Sequence, residues 1–133
     1  MAKGVKDFIA AAKEKVDEVQ PAFAHRAASD QSAVILDVRE PGELSTDGVL
    51  GVDHHHIPRG ILETKADPES GAAHEGLTEA RDNCAVLVVC ASGGRAAMAA
   101  ERLAEMGYDA KVVSGGFKAW REAGLPTRTK NED

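Results

Sequence analysis

The sequence predicts an α/β protein: a small, mostly parallel sheet with helices on both faces. Three observations carry this. Ala33-Val34-Ile35-Leu36-Asp37-Val38 and Ala85-Val86-Leu87-Val88-Val89 are continuous apolar runs. They lack the alternation of a half-exposed strand and suit strands buried on both faces, as in a parallel sheet. Segments with helical apolar spacing flank them, and strands alternating with helices build a parallel sheet through crossover connections. The chain has 133 residues, the size of one domain.

Taken in order, Val5, Phe8, Ile9, Ala12, Val16 and Val19 are spaced as one face of a helix over 4–19. Gln20-Pro21 ends it, and Pro21 opens a second helix through about Ala28, since proline suits a first helical turn. Ser29 to Ser32 is a polar break before the strand at 33–38. Arg39-Glu40-Pro41-Gly42-Glu43 reads as a turn, and a short strand is expected around His54–Ile57. Residues 63–82 show little periodicity and read as a surface excursion with one helical turn near Leu77–Arg81. After the strand at 85–89, a helix over Gly94–Met106 turns Ala96, Ala99, Leu103 and Met106 inward, and Gly107 suits the left-handed position past its end. Lys111-Val112-Val113 is a third strand and Ser114-Gly115-Gly116 a tight turn. A last helix over Phe117–Ala123 is stopped by Gly124 and Pro126. Three segments result: an N-terminal helix over 1–19 packing on the domain, the domain itself over 20–126, and a frayed tail over 127–133.

Composition excludes several function classes. With 43% hydrophobic and 29% charged residues the chain is an ordinary globular one, and with three Phe, one Tyr and one Trp its core must rely on Val, Ile, Leu and Ala. A formal charge of −6 leaves no basic stripe for phosphates, which argues against nucleic acid but not against a small anion at a local site. Two cysteines, Cys84 and Cys90, are too few for a disulfide scaffold. No run approaches the length of a membrane span, and the N-terminal stretch lacks the uninterrupted apolar core of a signal peptide. A cytoplasmic protein with reduced thiols is expected.

The chemistry gathers at Cys90. Ligands of open α/β sheets bind beyond the carboxyl ends of the strands, and Cys90 follows directly on 85–89. Gly93 and Gly94 permit a tight loop in which successive N–H groups turn inward as an anion nest. The following helix adds its positive end and Arg95 a permanent charge. Each favours thiolate over thiol, making Cys90 a nucleophile candidate with Ala91, Ser92, Gly93, Gly94 and Arg95 as its substrate-binding loop.

On these residues the sequence resembles the rhodanese-like sulfurtransferases. VVCASGGRAA over Val88–Ala97 is similar to their active-site loop, a cysteine, four residues and an arginine closing onto a helix. ILDVREPG over Ile35–Gly42 is similar to the first-strand signature, and Gly115-Gly116-Phe117-Lys118-Ala119-Trp120 to the late GG-hydrophobic-x-x-W motif. The resemblance runs from Pro21 to Pro126. It implies the rhodanese-like three-layer fold and a persulfide mechanism. Cys90 thiolate attacks the outer sulfur of a donor such as thiosulfate, sulfite leaves, and cyanide or another thiol takes the sulfur. It implies no metal or organic cofactor. The partners are a small anionic donor, a thiol or cyanide acceptor, and proteins that give or take sulfur. A related phosphatase group has one more residue between cysteine and arginine. The four here, Ala91 to Gly94, suit a sulfur atom better than a phosphate. Between Asp47 and Gly60 the chain departs from the family pattern. Ile57-Pro58-Arg59-Gly60 fits, whereas DGVLGVDHHH does not.

Other polar residues have plainer readings. Cys84 lies six residues before Cys90, roughly 20 Å away at the extended rise of about 3.3 Å per residue, and reads as a small apolar residue rather than a resolving thiol. His54, His55 and His56 alternate faces and cannot all converge on an ion with His74. The resemblance implies that Asp37 and Arg39 are a structural pair rather than catalytic, in keeping with the need of a charged residue in a buried run for a partner. Arg59 could reach a donor or be solvated, and Ser92 could donate to sulfur or to its own loop. Phe117 and Trp120 read as core. The function expected is a thiosulfate:cyanide-type sulfurtransferase. Its rivals are a persulfide carrier, a thiol-sensing or binding module, and a phosphatase or arsenate-reducing enzyme.

Overall fold

A computed structural model describes residues 1–130. Its elements run α1 (Val5–Lys15), β1 (Asp17–Val19), α2 (Pro21–Ser29), β2 (Ala33–Asp37), α3 (Pro41–Asp47), β3 (Val49–Leu50) and β4 (His55–His56). A 3₁₀ turn at Arg59–Ile61 precedes α4 (Leu62–Ala66) and α5 (Glu75–Ala80). There follow β5 (Ala85–Val89), α6 (Gly94–Glu105), β6 (Ala110–Val113), α7 (Gly116–Glu122) and β7 (Thr127–Arg128). Five strands form one parallel sheet in the order β1-β6-β5-β2-β4.

The sheet separates two apolar layers, the expected α/β sandwich. Val86, Val88 and Cys90 face one side, where they meet Ala12 of α1, Leu62 of α4, Leu77 of α5 and Ala96, Ala99 and Leu103 of α6. Leu87 and Val89 face the other, against Ala24 and Ala27 of α2 and Phe117 and Trp120 of α7. This alternation is the period-two pleat of β5, with both faces covered as a parallel sheet requires. Phe117 and Trp120 are buried core, and Trp120 Nε1 donates to the Pro126 carbonyl at 2.8 Å. Cys84 packs against the first layer.

Four expectations need correction. The first helix ends at Lys15, not 19, because Val16 turns extended and Asp17–Val19 pairs in parallel with β6. Val16 and Val19 sit at helical spacing from Ala12 by coincidence; β-branched residues beside an open sheet edge are better placed as strand. Arg39–Glu43 is not simply a turn, since Pro41 begins α3 as its first helical residue. Residues 63–82 are more than a surface excursion: Leu62, Ala66, Leu77 and Ala80 are buried from α4 and α5, helices too short to display a period. The frayed tail over 127–133 is anchored at its start, where Thr127 and Arg128 pair antiparallel with Leu50 and Val49; residues 131–133 lie outside the described residues.

Candidate active site

β5 ends at Val89, which places Cys90 at the carboxyl edge of the sheet, between the loops that leave β2 and β6. The chain then reverses through Gly93, whose φ of +119° is a conformation that side chains other than hydrogen resist. The Gly93 N–H donates to Cys90 Sγ at 2.9 Å, and α6 begins at Gly94. Cys90 is 1% exposed. The turn beneath the sulfur thus spans Ala91–Gly93 with one amide aimed at Cys90, while Gly94 and Arg95 already belong to the first turn of α6.

The carbonyl side of the loop is tied down from α7. Phe117 N–H donates to the Cys90 carbonyl at 2.8 Å and Lys118 N–H to the Ala91 carbonyl at 3.2 Å. This needs Gly116, with φ +63°: a Cβ there would land on the Cys90 carbonyl oxygen and 2.7 Å from that of Ala91. Gly116→Ala is therefore expected to cost about 2–4 kcal/mol, from left-handed strain plus displacement of the loop. Thermal unfolding measures the loss, and a faster reaction of Cys90 with an alkylating reagent reports the loosened loop.

The same loop meets α1 on its other side. A Cβ on Gly94 would lie 2.8 Å from Ile9 Cδ1, so α1 approaches the start of α6 closely, and Lys15 pairs with Glu101 farther along at 3.2 Å.

Arg95, expected as a permanent charge beside the thiol, is engaged by a carboxylate as well. Its Nη1 and Nη2 donate to Glu43 Oε1 and Oε2 at 2.7 and 3.0 Å, a two-pronged bridge from α6 to α3. That bridge holds the Glu43 carboxyl below its ordinary range, against a smaller opposing effect of burial. A depressed carboxyl contributes above its unfolded value and loses its contribution only as pH falls through the folded one, so the bridge is intact at neutral pH. The Arg95 guanidinium is held protonated more firmly by Glu43 first, with Cys90 and Glu40 adding to it. Glu43 escaped the sequence reading. It lies fifty-two residues from Arg95, and no local pattern links them.

Behind the loop, Asp37 and Arg39 form a buried pair, 0% and 1% exposed. Arg39 Nη2 donates to Asp37 Oδ2 at 2.8 Å and to the Gly48 carbonyl at 3.0 Å, and the guanidinium lies 4.1 Å over the Phe117 ring. Arg59 is engaged by Glu63 at 3.0 Å. The sulfur's hydrogen-bond donor is the Gly93 amide rather than the Ser92 hydroxyl. Among the described residues no three His, Cys, Asp or Glu side chains are grouped to hold a metal ion. His56 Nε2 bonds the Arg39 carbonyl and His54 Nδ1 that of Val52, while His55 meets His74 edge-on at 4.8 Å. Burial first, then the neighbouring His74 and His54, hold His55 below the usual histidine value. A cavity of about 460 Å³ lies here, beside the first half of β2. A smaller one of about 190 Å³ borders the loop at Ala91 and Ser92 and reaches Lys118 and Arg121.

Residues 20–123 match the Rhodanese-like domain family. The chain is a rhodanese-like domain. Relatives include Thiosulfate sulfurtransferase 16 (chloroplastic) of Arabidopsis thaliana, 35% identical over 98 residues that are 70% of this chain and 78% of that protein. The candidate sulfur carrier YrkF of Bacillus subtilis is 33% identical over 100 residues, 74% of this chain but 47% of that one, so the chain spans about half of it. Among solved structures, a Rhodopseudomonas palustris protein of unknown function, described as a possible tyrosine phosphatase, superposes with a TM-score of 0.86 at 30% identity over 96% of both chains. The polysulfide-sulfur transferase homodimer of Wolinella succinogenes superposes with 0.73 at 28% identity, over 96% of this chain and 90% of that one. The rhodanese-like domain thus keeps company with sulfurtransferases, a candidate sulfur carrier and a possible tyrosine phosphatase. No helix among its described residues is long and apolar enough to cross a membrane.

Proposed function

We propose that this rhodanese-like domain is a sulfurtransferase that carries sulfane sulfur on Cys90. The observation that supports it most is the Gly93 amide at 2.9 Å from Cys90 Sγ, at the carboxyl edge of the sheet. An amide so placed stabilises negative charge on sulfur, which the nucleophile bears before attack and the persulfide bears after it. With thiosulfate as donor, the thiolate forms a bond to the outer sulfur, the sulfur–sulfur bond of the donor breaks, and its electron pair leaves with sulfite. Cyanide or a thiol then attacks the outer sulfur of Cys90 persulfide and returns the thiolate. Two negative partners enter and two leave, with no oxidant required. This is ping-pong covalent catalysis, with Ala91 to Arg95 lining the passage.

Incubation with thiosulfate is expected to add about 32 mass units, one sulfur atom, to the peptide containing Cys90 and none to that containing Cys84. Removal of the adduct by cyanide, with thiocyanate released, completes the cycle. Absence of the adduct overturns the reading. The likeness to YrkF favours a second reading, a persulfide carrier serving a protein partner; there the adduct forms but steady turnover with cyanide is negligible.

A further inference from the structure

The turn beneath Cys90 cannot hold its own shape. Ser92-Gly93-Gly94 sets two glycines in succession, the residues with the widest choice of backbone angles and the most backbone entropy to lose. Gly93 adopts φ +119° and aims its N–H at Cys90 Sγ. Rotation of that peptide would carry the N–H off the sulfur, and a hydrogen bond weakens steeply as it bends. Neighbouring elements must therefore fix the turn. α7 fixes its entry, through the Phe117 and Lys118 amides on the Cys90 and Ala91 carbonyls. At its exit the Ala97 N–H of α6 donates to the Gly93 carbonyl at 3.0 Å. A side chain from α1 then meets Gly94. A Cβ there would stand 2.8 Å from Ile9 Cδ1 and 3.5 Å from Ile9 Cγ1, so Ile9 fills the room the glycine leaves. Within α1 only Ile9, half-buried, and Ala12, buried, are not exposed. Ala12 lies in the apolar layer with α6, whereas Ile9, nearly one turn closer to the start of α1, reaches the first residue of α6. The far end of α1 is anchored separately, by β1 on β6 and by Lys15 on Glu101. All of α1 precedes residues 20–123, the segment that matches the family.

We propose that Ile9 is a positioning residue for Cys90: packed on Gly94, it keeps the Gly93 amide in line with the sulfur. This rests on the sulfur-transfer reading of Cys90 and adds to that site a wall from outside the family segment. Ile9 touches no reactant and alters no bond-making step. It acts through Gly94, by denying the two glycines the backbone rotations that would turn the amide away. An amide that stays in place needs no rearrangement when negative charge gathers on sulfur, and preorganisation of that kind is what a supporting side chain supplies.

The test reads two quantities in the full chain: hydrogen exchange of individual amides by NMR, and the rate at which Cys90 acquires one sulfur from thiosulfate. Ile9→Ala removes the carbons that meet Gly94, and alanine is the best helix former, so α1 itself is retained. Exchange at the Gly93 amide is expected to quicken about tenfold or more, while the amides of Val86 to Val88 in β5 keep their rates. Sulfur loading is expected to slow about three- to tenfold. A general loss of stability would quicken β5 and Gly93 together. Ile9→Leu retains terminal methyl groups and is expected to restore both readings. Phe8→Ala, one residue away and 52% exposed, is expected to change neither. If Gly93 exchange is unchanged in Ile9→Ala, or quickens with no effect on loading, the inference is overturned while the function of Cys90 stands. If Cys90 of the unaltered protein takes no sulfur, the sulfur-transfer reading falls and the role given to Ile9 falls with it.

Discussion

Cys90→Ser is expected to lower sulfur transfer by about a thousandfold or more and to abolish the sulfur adduct entirely. The hydroxyl that replaces the thiol is far less acidic, and oxygen cannot take the place of sulfur in a persulfide. The fold has no reason to suffer. Cys90 is buried in the same apolar layer as Ala96, Ala97 and Val38, and serine is slightly smaller and still able to accept from the Gly93 amide. Thiocyanate release from thiosulfate and cyanide measures the activity, and an unchanged melting temperature shows that the loss belongs to the chemistry. Substantial activity in Cys90→Ser would move the nucleophile elsewhere, although Cys84 opens β5 at its far end and cannot substitute.

The second large effect belongs to the buried pair behind the loop. Asp37→Ala is expected to destabilise the domain by about 3–5 kcal/mol, because it strands the Arg39 guanidinium in the interior without its counter-charge. Asp37 accepts from both Nε and Nη2 of Arg39 and from its backbone N–H at 3.0 Å, so one substitution removes the charge and three donors' partner together. Chemical denaturation measures the loss. Replacing both residues with apolar side chains of similar size is expected to recover much of it, since a dry pair gains little over good packing. A small effect from Asp37→Ala alone would mean that water reaches Arg39, against its 1% exposure.

Why these features were unevenly legible is a matter of range. β2, β5 and α6 could be read directly, because continuous apolar runs and helical spacing are local signals. The Cys90 loop could be read because its glycines, cysteine and arginine are adjacent. Asp37 and Arg39 were legible as a pair because the family resemblance implies it and a charge at the end of a buried strand demands a partner. Glu43 was not, since its meaning comes from a bridge to Arg95 formed only when α3 and α6 meet. α4 and α5 went largely unread because each buries two residues, too few for a periodic pattern. The strand at Asp17–Val19 was hidden by valines whose spacing satisfies a helix equally well.

That short strand has a consequence of its own. β6 would otherwise present its backbone donors and acceptors at the rim of a parallel sheet, a template onto which a second chain could zip. Asp17–Val19 occupies that rim and sets two acidic, exposed side chains along it. The segment ahead of residue 20, outside the stretch matched to the family, thus replaces the β6 edge with a rim that is short and acidic, two features that disfavour edge-to-edge pairing.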